Sequence, residues 1–231
     1  MTERSDRIKK KKELPAGNPP LSKEDAGVYG FFKTVRADAF RYSGTGKLCV
    51  FRTYLRVIEY RYIFWMRLAA FLRQRKLLRI PHYLSRIWLH RLKLKLGINI
   101  PYNTKIKPGF YIGHFGGIVV HPEVRIGWNC NLSNRVTIGI QSRGERAGVP
   151  AIGNNVYIGP GAVVIGAVRV GNHAAIGANC VVTKDVPDYA VVVGVPGKII
   201  SRKGSDGYVC NTDYDRLLSS NVISARESRC S

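Results

Sequence analysis

The sequence predicts a mainly β protein: a parallel β-helix preceded by a smaller α-helical region. Three observations carry that reading. An aliphatic side chain returns every six positions from about residue 100 to 186. Glycine directly follows many of these anchors. Before residue 97 the apolar spacing is helical instead.

The repeat sets the architecture. Ile100, Ile106, Ile112 and Ile118 open it, and a two-residue slip resets the count at Val120, followed by Ile126, Leu132 and Ile138. After a polar loop, Gln141 to Pro150, it resumes at Ile152, Ile158, Val164, Val170, Ile176 and Val182. Six is a multiple of the strand period of two and does not fit 3.6. A helix would scatter the anchors; short strands joined by corners would stack them in one internal column. Small or β-branched residues four places after the anchors, from Val124 and Cys130 to Cys180 and Val186, fill the rest of an aliphatic tube. Each corner needs a residue that tolerates positive φ, and the glycines and asparagines there are read as meeting that need. A β-sandwich shares the period of two, but its turns do not recur every six residues.

The chain has 231 residues and a formal net charge of +22, from 37 Lys and Arg against 15 Asp and Glu. The excess lies in front: residues 1–100 hold 23 basic and 7 acidic side chains, residues 101–200 only 9 and 4. A nearly neutral coil behind a cationic region favours an anionic surface as partner of that region. No nucleic-acid-binding motif accompanies the charge, so nucleic acid is not expected. Five cysteines without a CxxC pair argue against a disulfide framework or zinc site and suit a reducing, cytoplasmic setting. Cys130 and Cys180 fall in inward slots, where a thiol is a small apolar filler.

Residues 1–26 are charged and Pro-rich, with a basic run at Lys9 to Lys12, and read as a disordered tail rather than a secretory signal. Residues 27–97 read as helical. Phe31, Phe32, Val35 and Phe40 mark a short helix carrying Asp38. Leu48 to Arg75 reads as a longer one, with Tyr54, Ile58, Tyr62, Trp65, Leu68 and Leu72 along one side, and Pro81 breaks it. From His82 to Leu96 the apolar face is Leu84, Trp88, Leu92 and Leu96, with Arg86, Arg91, Lys93 and Lys95 elsewhere. No apolar run reaches the ~20 residues a membrane span needs. Such basic helices fit packing onto the coil. They also fit peripheral contact with the inner face of a cytoplasmic membrane.

Residues from about Val35 to Arg202 resemble the serine acetyltransferase-like branch of the hexapeptide acyltransferases. The resemblance rests on "EYRYIFWMRLAAFL", "GINIPYNTKIKPGFYIGHFGGIVVHPEVRIG", "VTIGIQSRGERAGVPAIGNNVYIGPGAVVIGAVRVGNHAAIGANCVVTKDVP" and the closing "VVVGVPGKII". It implies a left-handed β-helix over residues 98–203, with a tail at 204–231. It also implies acetyl-CoA as co-substrate, no metal, and a homotrimer with sites between neighbouring subunits. Whether trimers pair stays open.

By that resemblance His114 is the catalytic base. Moving an acetyl group from thioester to alcohol requires removal of the hydroxyl proton, which suits a group titrating near neutrality. The two-residue slip and Gly113, Gly116 and Gly117 surround it, and an irregular corner is where a side chain can leave the wall. His121 is the competing candidate, read as a corner residue. The orienting carboxylate of the family, fifteen residues earlier, is Asn99 here, whose amide can hold the tautomer but cannot stabilise an imidazolium as an ion would. Gly113 stands where the family has a substrate-contacting acid, and Val149 where it has a second histidine. An amino acid's charges would then lack those partners. The expectation is therefore a sugar hydroxyl in surface-polysaccharide biosynthesis as acceptor, with Arg143 and Arg146 of the loop available to an anionic sugar. Two readings stay open: serine O-acetylation in cysteine biosynthesis, and a non-catalytic, membrane-associated trimeric scaffold. For the donor, the resemblance places Gly139, Pro160, Gly161 and Ala178 along the pantetheine groove, and Lys198 and Arg202 at the nucleotide phosphates. Pro160 lacks the N–H the family has there.

Overall fold

The computed structural model describes residues 28–44 and 49–214. The basic tail expected over residues 1–26 lies outside them, as does the part of the C-terminal tail beyond residue 214. Between Ile98 and Val193 the chain winds as a three-faced parallel β-helix. One face stacks β1 (Ile98–Asn99), β4 (Ile118–Val120), β7 (Thr137–Gly139), β10 (Val163–Ile165) and β13 (Val181–Val182). The second stacks β2 (Lys105–Ile106), β5 (Arg125–Ile126), β8 (Ala151–Ile152) and β11 (Arg169–Val170). The third stacks β3 (Tyr111–Ile112), β6 (Asn131–Leu132), β9 (Tyr157–Ile158), β12 (Ala175–Ile176), β14 (Val191–Val193) and β15 (Lys198–Ser201).

The register puts anchor on anchor: Ile106 on Ile126, Ile152 and Val170; Ile112 on Leu132, Ile158 and Ile176; Val120 on Ile138, Val164 and Val182. All are buried, as are the fillers four places on, so the core is the expected aliphatic tube. The glycines after the anchors differ from expectation. Gly127, Gly153, Gly159, Gly171 and Gly177 do not have positive φ; Asn129, Arg135, Asn155, His173, Asn179 and Tyr189 do. Gly127 is glycine for closeness: a Cβ there would lie 2.3 Å from the Gly153 carbonyl oxygen of the next coil.

Among the described residues four α-helices precede the coil: α1 (Val28–Ser43), α2 (Cys49–Arg56), α3 (Ile58–Arg73) and α4 (Arg79–Leu96). The single helix expected from Leu48 to Arg75 is two, parted at an extended Val57 (φ −111°, ψ 112°). Arg61 satisfies the freed end of α2 by donating to the Tyr54 and Leu55 carbonyls. Pro81 breaks nothing. It sits in the first turn of α4, where a missing N–H costs no helical hydrogen bond, and the break falls earlier, at a 3-10 turn over Lys76–Leu78. The inner face of α4 is Ser85, Leu89, Leu92 and Leu96, not the expected Leu84–Trp88 line, because both sides of this helix are apolar. Gly97, left-handed at φ 62°, ends α4 and turns the chain into β1.

The helices close the open end of the coil. The first coil has no coil beneath it, so its edge groups need other partners. Tyr62 Oη donates to the Ile100 carbonyl at 2.8 Å and accepts from its N–H at 3.1 Å. Tyr42 Oη does the same for Ile112, at 3.0 and 2.9 Å. Arg67 donates to the Ile106 and Lys107 carbonyls, and the buried Asp38 carboxylate accepts from the Phe110 N–H at 2.8 Å. Asp38 and Arg67 are themselves ion-paired at 2.9 Å. Burial pushes the Asp38 carboxyl above its ordinary value, with the Arg67 charge opposing. At the other end β15 turns back antiparallel on β14. Residues 204–214, which the sequence left without a reading, return along the third face. Tyr208 stacks on Tyr157, and buried Tyr214 donates to Asn129. Cys49, Cys130 and Cys180 are free and buried, whereas Cys210 is disulfide-bonded, a bond the cysteine count did not suggest.

Candidate active site

The edge between the third and first faces is a column of corners. Each runs from one buried anchor to the next in six residues: Leu132 to Ile138, Ile158 to Val164, Ile176 to Val182. In the first coil the corresponding corner runs from Ile112 to Val120, two residues more. The extra length is taken up by Gly116 and Gly117, at φ 106° and 69°, which pass over Gly97. The swelling leaves His114 and Phe115 exposed at the edge. Gly113, directly before, uses its N–H on the Leu132 carbonyl at 2.9 Å and offers no side chain.

Asn99 lies on the outer side of β1, paired in register with Val119. It is exposed, and no hydrogen bond among the described residues joins its amide to His114. His121 is tied down, its Nδ1 accepting from the Glu123 N–H at 3.3 Å. Val149 packs against the coil core. Arg135 was missed from sequence. It sits one coil above at the same edge, its N–H on the Gly116 carbonyl at 2.7 Å and its stem over Gly117. Six-residue arithmetic could have found it, since it stands three places after Leu132, in the corner stacked on that of His114.

Pro160, Gly161 and Ala178 fall on the same edge, Gly139 and the loop carrying Arg143 and Arg146 lie where the first face passes to the second, and Lys198 and Arg202 lie past the end of the stack. Pro160 and Ala178 are exposed at successive corners, joined through Asn179 N–H to Pro160 carbonyl at 2.8 Å. Gly161 donates to the Asn134 carbonyl at 3.0 Å, so its amide is engaged. The Ala178 N–H has no partner among the described residues. Gly139 ends β7, and a Cβ there would meet nothing nearer than 3.8 Å, so bare backbone faces outward. Lys198 and Arg202 are exposed at and just after β15. The loop after β7 doubles back through a Gln141–Gly148 bridge. It places Arg146 against Asp185 at 3.2 Å, so this arginine is partnered within the chain, while Arg143 is exposed. Burial pushes the Cys130 thiol up to about 12, which keeps it protonated and inert.

Fold and edge together are those of a coil built on six-residue repeats, a left-handed β-helix. Residues 150–184 match the family described as Bacterial transferase hexapeptide (six repeats). The curated relatives are serine acetyltransferases. That of Synechococcus elongatus is 36% identical over 138 residues, covering 60% of this chain and 55% of the relative. That of Staphylococcus aureus strain Mu50 is 40% identical over 110 residues, covering 47% and 51%. The chain thus spans about half the length of the curated relatives it matches. Among solved structures, Neisseria gonorrhoeae serine acetyltransferase in complex with serine aligns at TM-score 0.62 and 27% identity, over 77% of this chain and 72% of that one. Brucella abortus serine acetyltransferase aligns at 0.64 and 25%, over 77% and 71%. A serine acetyltransferase complex with CoA aligns at 0.61 and 27%, over 77% and 73%.

These comparisons overturn the polysaccharide acceptor. The relatives are named for serine, and one neighbour was solved with serine bound. That expectation treated the charges missing at Asn99, Gly113 and Val149 as decisive. Substrate charge can also be met by other cations and by backbone dipoles, and Arg135 stands beside the His114 corner.

Proposed function

We propose that this chain is an acetyl-CoA-dependent O-acetyltransferase of the serine acetyltransferase type, working as a homotrimer on the hydroxyl of L-serine. One observation carries the reading: the corner swollen by two residues holds an exposed imidazole on the same column of corners as exposed Pro160 and the Ala178 amide, unpartnered among the described residues. That column fits an extended pantetheine chain along Gly161 and Ala178, with the bare backbone of Gly139 across the adjoining first face. Lys198 and Arg202 serve the phosphates. Phe115 on this edge and Val119 and Ile140 across the adjoining first face are exposed apolar residues that supply the surface for a neighbouring copy.

In this reading His114 takes the hydroxyl proton as the oxygen attacks the thioester carbonyl. The carbon–oxygen bond forms, backbone N–H groups steady the oxyanion, and the carbon–sulfur bond breaks. The proton then passes from the imidazolium to the departing thiolate. Asn99 stands where a carboxylate would orient the ring and is not hydrogen-bonded to it among the described residues, so the imidazole lacks that support, and Arg135 meets the acceptor's carboxylate. The test is mass spectrometry of pure protein with acetyl-CoA and L-serine, expected to give O-acetylserine. His114→Ala should lower turnover by roughly 10²–10⁴-fold with acetyl-CoA affinity kept. Absence of O-acetylserine removes the acceptor; near-normal turnover in the variant reassigns the base.

A further inference from the structure

We propose that the outer face of α4 docks on an anionic lipid surface. This helix has a second apolar stripe opposite its buried one. Ile80, Leu84, Ile87 and Leu94 recur at spacings of four, three and seven, the spacing of one helical face. Ile80 keeps 76% of its surface exposed, Leu84 59% and Leu94 69%, while Leu77 in the turn leading into α4 keeps 97%. Tyr83 and Trp88 are exposed on its flanks. A helix packed on a coil by one side ordinarily carries polar residues on the other, so an apolar stripe broken by one cation, Arg91 between Ile87 and Leu94, marks a contact surface.

The charge around the stripe selects the occupant. Arg79, Arg86, Arg91 and Lys95 are exposed on the same helix, Lys93 is half-buried, and none is ion-paired among the described residues. No acidic residue occurs between Glu59 and Glu123. A second copy of α4 laid on this face would set cation against cation. Phospholipid complements both halves, acyl chains taking the apolar residues and phosphates the cations, with Tyr83 and Trp88 at the boundary. No described helix is long and apolar enough to cross a membrane, so α4 would lie in the interface plane.

The full-length protein should co-sediment with vesicles of phosphatidylcholine and phosphatidylglycerol and not with phosphatidylcholine alone. On binding, Trp88 emission should shift to the blue and be quenched by brominated lipid, both effects vanishing in Trp88→Phe. The triple variant Ile80→Ser, Leu84→Ser, Leu94→Ser changes only exposed positions. It should keep its circular dichroism yet partition roughly tenfold or more weakly. Arg86→Gln and Arg91→Gln should each cost about fivefold. The proposal fails if the protein ignores anionic vesicles. It fails equally if binding survives the triple variant without any Trp88 shift, which would assign it to the Lys9–Lys12 run. A triple variant that binds vesicles normally but sediments as a smaller particle would give the face to a second copy.

Discussion

Arg67→Ala tests how the helices are fastened to the coil. Arg67 binds Asp38 through Nε at 2.9 Å and reaches the Ile106 and Lys107 carbonyls at 2.6 and 2.9 Å. Asp38 is fully buried, and among the described residues only the Phe110 and Gly109 backbone N–H groups remain to it. Removing the cation leaves a buried carboxylate without its counter-charge, which costs about 3–5 kcal/mol. The pH dependence has a definite sign. Burial already holds the folded carboxyl above its ordinary 3.8, and loss of Arg67 raises it further. The penalty is therefore smallest below 3.8, where the carboxyl is protonated folded and unfolded alike, and grows as pH rises through the folded value. Urea unfolding followed by circular dichroism at several pH values measures it. Asp38→Asn in the Arg67→Ala background should recover part of the loss by removing the stranded charge. A penalty below about 1 kcal/mol, or one that shrinks with rising pH, would refute the account.

Tyr62→Phe strips the Ile100 N–H and carbonyl of their shared hydroxyl and should cost about 1–3 kcal/mol, read from the same denaturation curves. Gly127→Ala forces a Cβ to 2.3 Å from the Gly153 oxygen and should destabilise the coil by about 1–3 kcal/mol. Gly139→Ala meets nothing nearer than 3.8 Å and should leave stability unchanged while weakening acetyl-CoA binding in calorimetry. Arg135→Ala should raise KM for serine with little change in kcat, because the lost contact is to a part of the acceptor that does not react.

The coil was legible because its rule is local. One inward residue in six fixes which side chains stack, and Ile106, Ile126, Ile152 and Val170 could be aligned by counting. The slip at Ile118 and Val120 was visible for the same reason, and with it the unusual corner of His114. The helical region was harder because its constraint is tertiary. Leu84 and Leu89 are equally apolar, and only contact with the coil decides which is inside. Counting could not show that Tyr42 and Tyr62 are there for their hydroxyls, nor pair Arg146 with Asp185, thirty-nine residues away. The glycines misled in an instructive way. Their recurrence was read correctly, but at Gly127 the cause is the nearness of the next coil rather than the sign of φ.

Both ends of the stack are plugged, one by tyrosine hydroxyls and a guanidinium, the other by a strand running the wrong way for continuation. Such a rod cannot lengthen by adding coil to coil through its strand edges. A multimer built on the coil itself grows sideways, flank against flank, and the flank beside the imidazole has Phe115 and Val119 to spare.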